Sequence, residues 1–194
     1  MNIKEIKNAR YLEGGEIDCD VLFEGMEDTL PYTATATDTT ETGQLIWQEL
    51  QSGKWGEIAP FTVTPDMLAT VREVKKQEIN AWRDKQESGS VIFEFSGHMW
   101  DGGKASQSRL SPVIAAAQAG TLPPGFFWTD ADNRDVELTT EELVQLAGAM
   151  TQAMVVEGFR IHERQRQMKE EVAALNTLEA IRSYPVGWPE VESE

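Results

Sequence analysis

The amino-acid sequence predicts an α+β protein with a small β-rich N-terminal domain and a C-terminal domain in which short hairpins pack on a long helix. Three observations lead to this prediction: apolar and polar residues alternate near the N-terminus, apolar residues recur at helical spacing in the second half, and two sharp helix starts stand between them. The predicted domains cover residues 1–64 and 89–189, a connecting helix covers 65–88, and residues 190–194 form an acidic tail.

The N-terminal domain is predicted to be β-rich because residues 17–23 alternate between apolar and mostly acidic side chains. Such alternation gives a strand one face for the core and one face for solvent. Two further extended segments flank this strand, one ending at the Gly14–Gly15 turn and one over residues 30–35. A short helix follows, and residues 53–61 are predicted to form an ordered loop that packs on the sheet.

The connecting helix is predicted to start at Thr64 and Pro65. A capping side chain followed by proline is a favourable helix start, because the first helical N–H has no partner within the helix. The helix is mostly charged but carries one apolar stripe, formed by Leu68, Val71, Ile79 and Trp82. A helix of this kind joins two domains or pairs with copies of itself, and the sequence leaves both uses open.

The C-terminal domain is predicted to begin with a hairpin over residues 91–100 that turns at Ser96–Gly97. A short helix follows it. Ser111–Pro112 is a favourable start for that helix, whereas an earlier cap at Ser106 or Ser108 would leave the proline as a kink.

The centre of this domain is the segment 126–175. Two short strands, 126–129 and 135–138, flank a polar turn, and Thr139 with Glu142 then forms a capping box for a helix predicted over 140–176. Apolar residues recur three, four or seven positions apart and line one face of that helix. They are Leu143, Leu146, Met150, Met154, Ile161, Met168, Val172 and Leu175.

The long helix also raises the hypothesis of a homo-oligomer. A coiled-coil trimer built on residues 140–176 is one such arrangement, and it would favour a structural role. Gly148, Gly158 and the shift between spacings of three and four weaken a strict heptad.

The charge balance argues against two classes of partner. The chain carries 33 acidic and 17 basic residues, for a net charge of -16. This charge repels phosphate backbones and anionic lipid, so we expect neither nucleic-acid nor membrane binding. The single cysteine, Cys19, forms no intrachain disulfide, and no apolar signal region or spanning segment is evident. We therefore expect folding in a cytosol.

An acidic cluster invites the hypothesis of a calcium site. Counted from Asp130, residues Asp132 and Glu141 fall at the third and twelfth positions of an EF-hand loop. Arg134 and Asp135, however, occupy the fifth position and the position of the required glycine. A turn followed by a helix cap explains the same residues, so we expect no metal here.

Catalytic and cofactor motifs find little support elsewhere in the chain. The two histidines, His98 and His162, lack cysteine or histidine neighbours at zinc-binding spacing. His162 adjoins Glu163, but neighbouring residues on a helix point about 100° apart. We expect no enzymatic activity and no cofactor, and a glycosidase built on two of the many carboxylates remains a third hypothesis.

The connecting helix and the C-terminal domain are rich in large aromatic residues. Most are expected to fill the core, while some are expected to contact a partner, because large aromatic side chains are favoured at interface hot spots. The five predicted partner-contact residues are Trp100, Phe127, Trp128, Phe159 and Trp188.

Several segments together resemble a domain that recurs in the tail proteins of tailed bacteriophages. They are WRDKQE (82–87), FSGHMW (95–100), SRL (108–110), FWTDADN (127–133), GFRIHERQR (158–166) and VGWP (186–189). The N-terminal part resembles the start of phage tail fibre assembly proteins. It does so in IDCDVLFE (17–24), LPYTA (30–34) and GKWGEIAPF (53–61).

The resemblance implies a non-enzymatic protein that binds the tail fibre or tail tip during assembly in the host cytoplasm. A first alternative is a structural subunit of the tail tip, baseplate or fibre attachment that remains in the virion tail. A second alternative is a host-surface protein that binds or cleaves carbohydrate.

Overall fold

Helices and small antiparallel sheets alternate along the chain, as the sequence predicts for an α+β protein. The computed structural model describes residues 2–190, so the predicted acidic tail lies almost wholly outside the described residues. The chain divides between Thr64 and Pro65 into two compact units.

The first unit is a three-stranded antiparallel sheet followed by one helix. The strands are β1 (Ile3–Tyr11), β2 (Ile17–Phe23) and β3 (Leu30–Ala34), with β2 in the centre, and the helix is α1 (Glu41–Gln51). The alternating residues Ile17, Cys19, Val21 and Phe23 are buried, as predicted, and share a core with Ile46 and Leu50 of α1.

The loop after α1 is ordered because it bonds to the sheet. Tyr11 donates its N–H to the carbonyl of Ala59 and the N–H of Ala59 donates to the carbonyl of Ala9, each at 2.9 Å. Trp55 and Ile58 pack against the core of the first unit. This confirms the predicted loop over residues 53–61.

The second unit contains the other four helices and two short hairpins of the described chain. In order these elements are α2 (Pro65–Glu87), β4 (Val91–Phe95), β5 (His98–Gly102), α3 (Lys104–Gln118), β6 (Trp128–Thr129), β7 (Asp135–Val136), α4 (Thr140–Ala174) and α5 (Leu178–Ser183). The strands β6 and β7 are shorter than the predicted segments 126–129 and 135–138.

Helix α4 is the element around which the second unit packs. It contacts α2, α3, β4 and β5. Its N-terminal half contributes Leu143, Leu146 and Met150 to a core shared with β4, β5 and α3. Its C-terminal half contributes Met168 and Val172 to a core shared with α2 and α5.

The burial of this face argues against the coiled-coil trimer. The face is covered by elements of the same chain, with Leu143, Leu146, Met168 and Val172 completely buried. A trimer built on these residues would have to displace the elements that cover them, so this buried face is not available to other copies.

Helix α2 is part of the second unit, which corrects its description as a connecting helix over 65–88. Ile79 is completely buried against α4 and α5. The buried Lys75 donates from Nζ to the carbonyl of Arg182 at 3.0 Å, and Arg72 donates to the carbonyl of Leu175 at 2.7 Å. The apolar stripe thus packs inside one domain.

Helix α3 starts seven residues before Ser111, so the start favoured for Ser111–Pro112 is wrong. The helix begins at Lys104, directly after Gly103, whose positive φ of 115° favours glycine. Burial of Ser106 and Leu110 explains the earlier start, because both side chains reach the core from the first turns. Pro112 lies inside the helix at an exposed position.

The start of α4 has the predicted capping box. The N–H of Glu142 donates to the Thr139 hydroxyl at 3.2 Å, and the N–H of Thr139 donates to the Glu142 carboxylate at 2.8 Å. These bonds satisfy two backbone N–H groups that the helix itself leaves unpaired.

Among the described residues, no helix is long and apolar enough to cross a membrane.

We predict that Thr139→Ala lowers the free energy of unfolding by about 1 kcal/mol, because the cap of α4 is lost. Thr70→Ala is the matched control, since Thr70 lies on an exposed turn of helix α2, where its hydroxyl donates to the carbonyl of Asp66 at 2.9 Å. Urea denaturation followed by circular dichroism measures both. Equal stability of the two variants would contradict the role of the cap.

Candidate functional site

The turn between β6 and β7 is built on the buried carboxylate of Asp130. One oxygen, Oδ1, accepts the N–H groups of Asp132 and Arg134, each at 2.9 Å. The N–H of Asp130 donates to the carbonyl of Arg134, and Asn133 adopts a positive φ of 59°. Asparagine tolerates this conformation better than most residues, so the sequence suits a tight turn.

Two bonds tie this turn to the hairpin β4–β5. The other oxygen of Asp130, Oδ2, lies 2.8 Å from Nδ1 of His98. Since an ionised carboxylate only accepts hydrogen bonds, Nδ1 carries the hydrogen. The N–H of Ala131 also donates to the carbonyl of Met99 at 2.8 Å. The turn is therefore fixed to a second element of the unit.

The same contacts set the ionisation of Asp130. The N–H of Arg134 has the largest effect, followed by His98, and both lower the pKa of the Asp130 carboxyl below its usual value. Burial opposes them by favouring the neutral form. The carboxylate is thus stabilised in its charged form inside the protein.

A groove of about 370 Å³ lies beside this turn. Phe126, Phe127 and Trp128 supply aromatic side chains to it, and Asp101, Ser106 and Arg109 supply polar groups. Phe127 is 47% exposed. The Arg109 guanidinium donates to the buried Ser106 hydroxyl at 3.3 Å. We call this site the aromatic groove.

The aromatic groove has the features of a noncovalent binding site. The exposed side chain of Phe127, directly before β6, shares the lining with a cation, Arg109, and a carboxylate, Asp101. Ligand sites commonly combine apolar walls with a few polar groups that orient what binds. His98 contacts Asp130 and lies 5.7 Å from the Trp100 ring, centroid to centroid, so its described contacts position the turn.

The structure brings two of the five predicted partner-contact residues to this groove, Phe127 and Trp128. Trp100 is only 1% exposed and donates its indole N–H to the carbonyl of Phe95 at 3.0 Å. It is therefore a core residue, and its prediction as a partner contact is wrong. Cross-strand packing with Phe93 explains its burial.

The other two predicted residues lie at the second half of α4. Phe159 is 65% exposed on the helix surface. Trp188 meets Trp82 edge to face at 5.1 Å, and the Arg160 guanidinium stands 4.1 Å from its ring centre. Its indole N–H donates to Gln86 at 3.2 Å. Trp188 thus holds the C-terminal segment on the unit.

Sequence reasoning missed the polar half of the groove. The turn and helix cap expected around Asp130 are confirmed, whereas the hydrogen bond between Asp130 and His98 was not predicted. Among residues 2–190, no group of three or more His, Cys, Asp or Glu side chains is arranged to hold a metal ion. Arg109 lies in SRL (108–110), one of the segments that resemble phage tail proteins, but its position in the sequence does not indicate that it lines a groove.

A larger hollow of about 550 Å³ lies on the first unit, over polar residues of the sheet. Its polar side chains bind one another: Asn8 donates to Asp20 at 2.7 Å, and Asp18 accepts from Thr33 at 2.7 Å and from Arg10 at 3.3 Å. These are cross-strand pairs that stabilise the sheet. The aromatic groove, with its exposed ring, is the better candidate.

We predict that Asp130→Asn lowers the melting temperature at neutral pH, while Asp132→Asn, at an exposed position of the same turn, does not. An amide cannot accept all three hydrogen bonds, because its nitrogen only donates. The pKa of Asp130 is depressed in the folded protein, so its contribution to stability is complete above the ordinary Asp pKa. That contribution is lost as the pH falls through the folded pKa.

Below about pH 4, the stability of Asp130→Asn should accordingly depend less on pH than the stability of the natural chain does, because the variant lacks the titrating carboxyl. Thermal melts across that range measure this difference. An identical acid dependence of both proteins would contradict the assignment of the buried charge.

Searches of the curated proteins and of the solved structures gave no match to this chain. A family model described as "Domain of unknown function (DUF4376)" matches residues 70–184. The match includes α2 from residue 70 onward, the aromatic groove and α4, and it ends before Trp188. Because it spans more than half of the 194 residues, the chain belongs to the DUF4376 family of domains of unknown function.

Proposed function

We propose that this chain is a non-enzymatic bacteriophage tail protein that acts with the tail fibre, most directly in fibre assembly. The aromatic groove is its binding site for the fibre or tail tip. The proposal is supported by the resemblance of both halves of the sequence to phage tail proteins. The observation that carries it is Phe127, an exposed aromatic ring directly before β6, the strand that leads into the fixed turn.

Rigidity makes Phe127 a suitable anchor. The turn that follows it is fixed by Asp130 and by the bond from Ala131 to Met99. An anchor that is already ordered loses little conformational entropy when a partner covers it. Burying an exposed phenylalanine in a partner's pocket is a common source of binding energy.

Charged side chains around Phe127 set the orientation of a segment bound in the groove and select among partners. Arg109 and Asp101 offer opposite charges in the same lining, which suits a peptide segment with its own polar groups. The net charge of -16 favours a partner surface that is neutral or basic, because long-range repulsion slows encounter with acidic surfaces.

Two alternatives remain as candidate functions. A subunit that stays in the tail tip, baseplate or fibre attachment would use the same groove for a permanent contact. A carbohydrate-binding protein is favoured by one observation, the presence of Trp128 beside Asp101, Arg109 and Asn133 in one groove. Sugars bind through such combinations of aromatic faces and polar groups.

We predict that Phe127→Ala weakens binding to purified tail fibre by about 2 kcal/mol or more, the range of interface hot spots. Val74→Ala is the control, because Val74 is an exposed apolar residue on α2. Calorimetry against fibre protein measures affinity, and thermal melts show that both variants fold. Unchanged affinity of Phe127→Ala, or binding of oligosaccharides in place of fibre, would overturn the proposal.

A further inference from the structure

Helix α4 has a second apolar face, which lies outside the cores of the unit. Val144, Gly148, Thr151, Val155 and Phe159 follow one another at spacings of four, three, four and four residues, and all five are exposed. These spacings align the residues along one side of the helix. We call this set the α4 stripe. Val155 is 66% exposed, more than any other valine of the described chain.

Gly148 is unusual in the middle of a long helix. Glycine destabilises a helix interior by about 1 kcal/mol relative to alanine. A Cβ added at Gly148 would meet no atom within 4 Å, so packing inside the chain does not require a glycine at this position. A glycine among exposed apolar residues allows another backbone or side chain to approach the helix closely.

Four of the five residues of the α4 stripe are placed symmetrically about the midpoint between Thr151 and Gln152. Val144 and Phe159 stand at equal distances from that midpoint, and so do Gly148 and Val155. If two copies of α4 pair antiparallel about this point, Val144 of one copy faces Phe159 of the other, and Val155 of one copy enters the gap left by Gly148 of the other. This is the self-complementarity that a two-fold interface requires.

Polar residues at the two ends follow the same symmetry. Glu141 and His162 are equidistant from the midpoint, and both are exposed. Antiparallel pairing places the carboxylate of one copy beside the imidazole of the other, where the two can share a hydrogen bond. Antiparallel helices also bring opposite ends of their dipoles together.

We propose that the α4 stripe forms an antiparallel, two-fold interface with a second copy of this chain. The symmetry of the stripe and the matching of Glu141 with His162 favour this occupant over an unrelated partner. This interface is separate from the aromatic groove and does not depend on the proposed function. Ile92 and Val156, both exposed, extend the apolar surface toward β4.

The size of the stripe sets the expected strength of the dimer. From Glu141 to His162 the paired region is roughly 32 Å long at ~1.5 Å per residue. One helix per copy covers less area than the ~1,600 Å² of a standard interface. The dimer should therefore dissociate on dilution, and the glycines and valines at its centre should control that equilibrium.

The first test compares Val155→Glu with Val74→Glu in the full chain by sedimentation equilibrium over a wide concentration range. Both valines are highly exposed on helices, so neither substitution disturbs a core. We expect the natural chain and Val74→Glu to form dimers and Val155→Glu to remain monomeric. A natural chain that stays monomeric at every concentration, or a Val155→Glu that dimerises equally, would overturn the proposal.

The second test fixes the register by disulfide formation. In the double variant Gly148→Cys, Val155→Cys, the two cysteines of one chain are ~10 Å apart along the helix and cannot bridge each other. Antiparallel pairing brings position 148 of one copy to position 155 of the other. We expect covalent dimers from the double variant under mild oxidation and none from Gly148→Cys alone.

The native thiol does not interfere with this readout. Cys19 is buried, and burial together with nearby carboxylates raises its pKa to about 11, so it remains protonated and unreactive. Covalent dimers from Gly148→Cys alone would indicate a parallel pair and contradict the symmetry argument. Failure of the double variant to cross-link, with dimers present in solution, would contradict it as well.

Discussion

The second unit depends on the burial of one face of α4. Hydrophobic residues from Leu143 to Val172 are removed from water by α2, α3, α5 and the hairpin β4–β5. Among the described residues of this unit, no other element contributes to both cores, and α4 contacts α2, α3, β4 and β5. The capping box at Thr139 fixes where this helix begins, and the short strands before it must end there. The location of the aromatic groove follows from this arrangement.

The two apolar faces of α4 therefore differ in what they contribute to the fold. The buried face uses long apolar side chains and holds the unit together, whereas the α4 stripe uses valines, a glycine and a phenylalanine that contribute little to the fold. The turn at Asp130 is a comparable case at a smaller scale. Its carboxylate accepts three structural hydrogen bonds, and Phe127, three residues before it, is exposed directly ahead of β6.

Local patterns were sufficient to predict several of the helices and strands, but not which distant segments pack against each other. The capping box, the extent of α4 and the alternation of Ile17 to Phe23 are encoded within a few residues, so periodicity and capping rules identify them. The burial of Trp100 and the pairing of His98 with Asp130, 32 residues apart in sequence, depend on how distant segments meet. The same holds for α2, whose apolar stripe does not specify whether it packs within its own domain or against another copy. Burial of Leu110 outweighed the local preference for a helix start at Ser111–Pro112.

The most direct measurement for the proposed role is mass spectrometry of tailed phage particles and of isolated fibre complexes from infected cells that produce this chain. The account predicts peptides of this chain bound to fibre or tail-tip protein, in assembly complexes or at fixed stoichiometry in the particle. Detection in the particle would favour the structural role, and detection only in assembly complexes would favour the assembly role. A chain that is abundant in the same cells but found with neither would contradict a function in the phage tail.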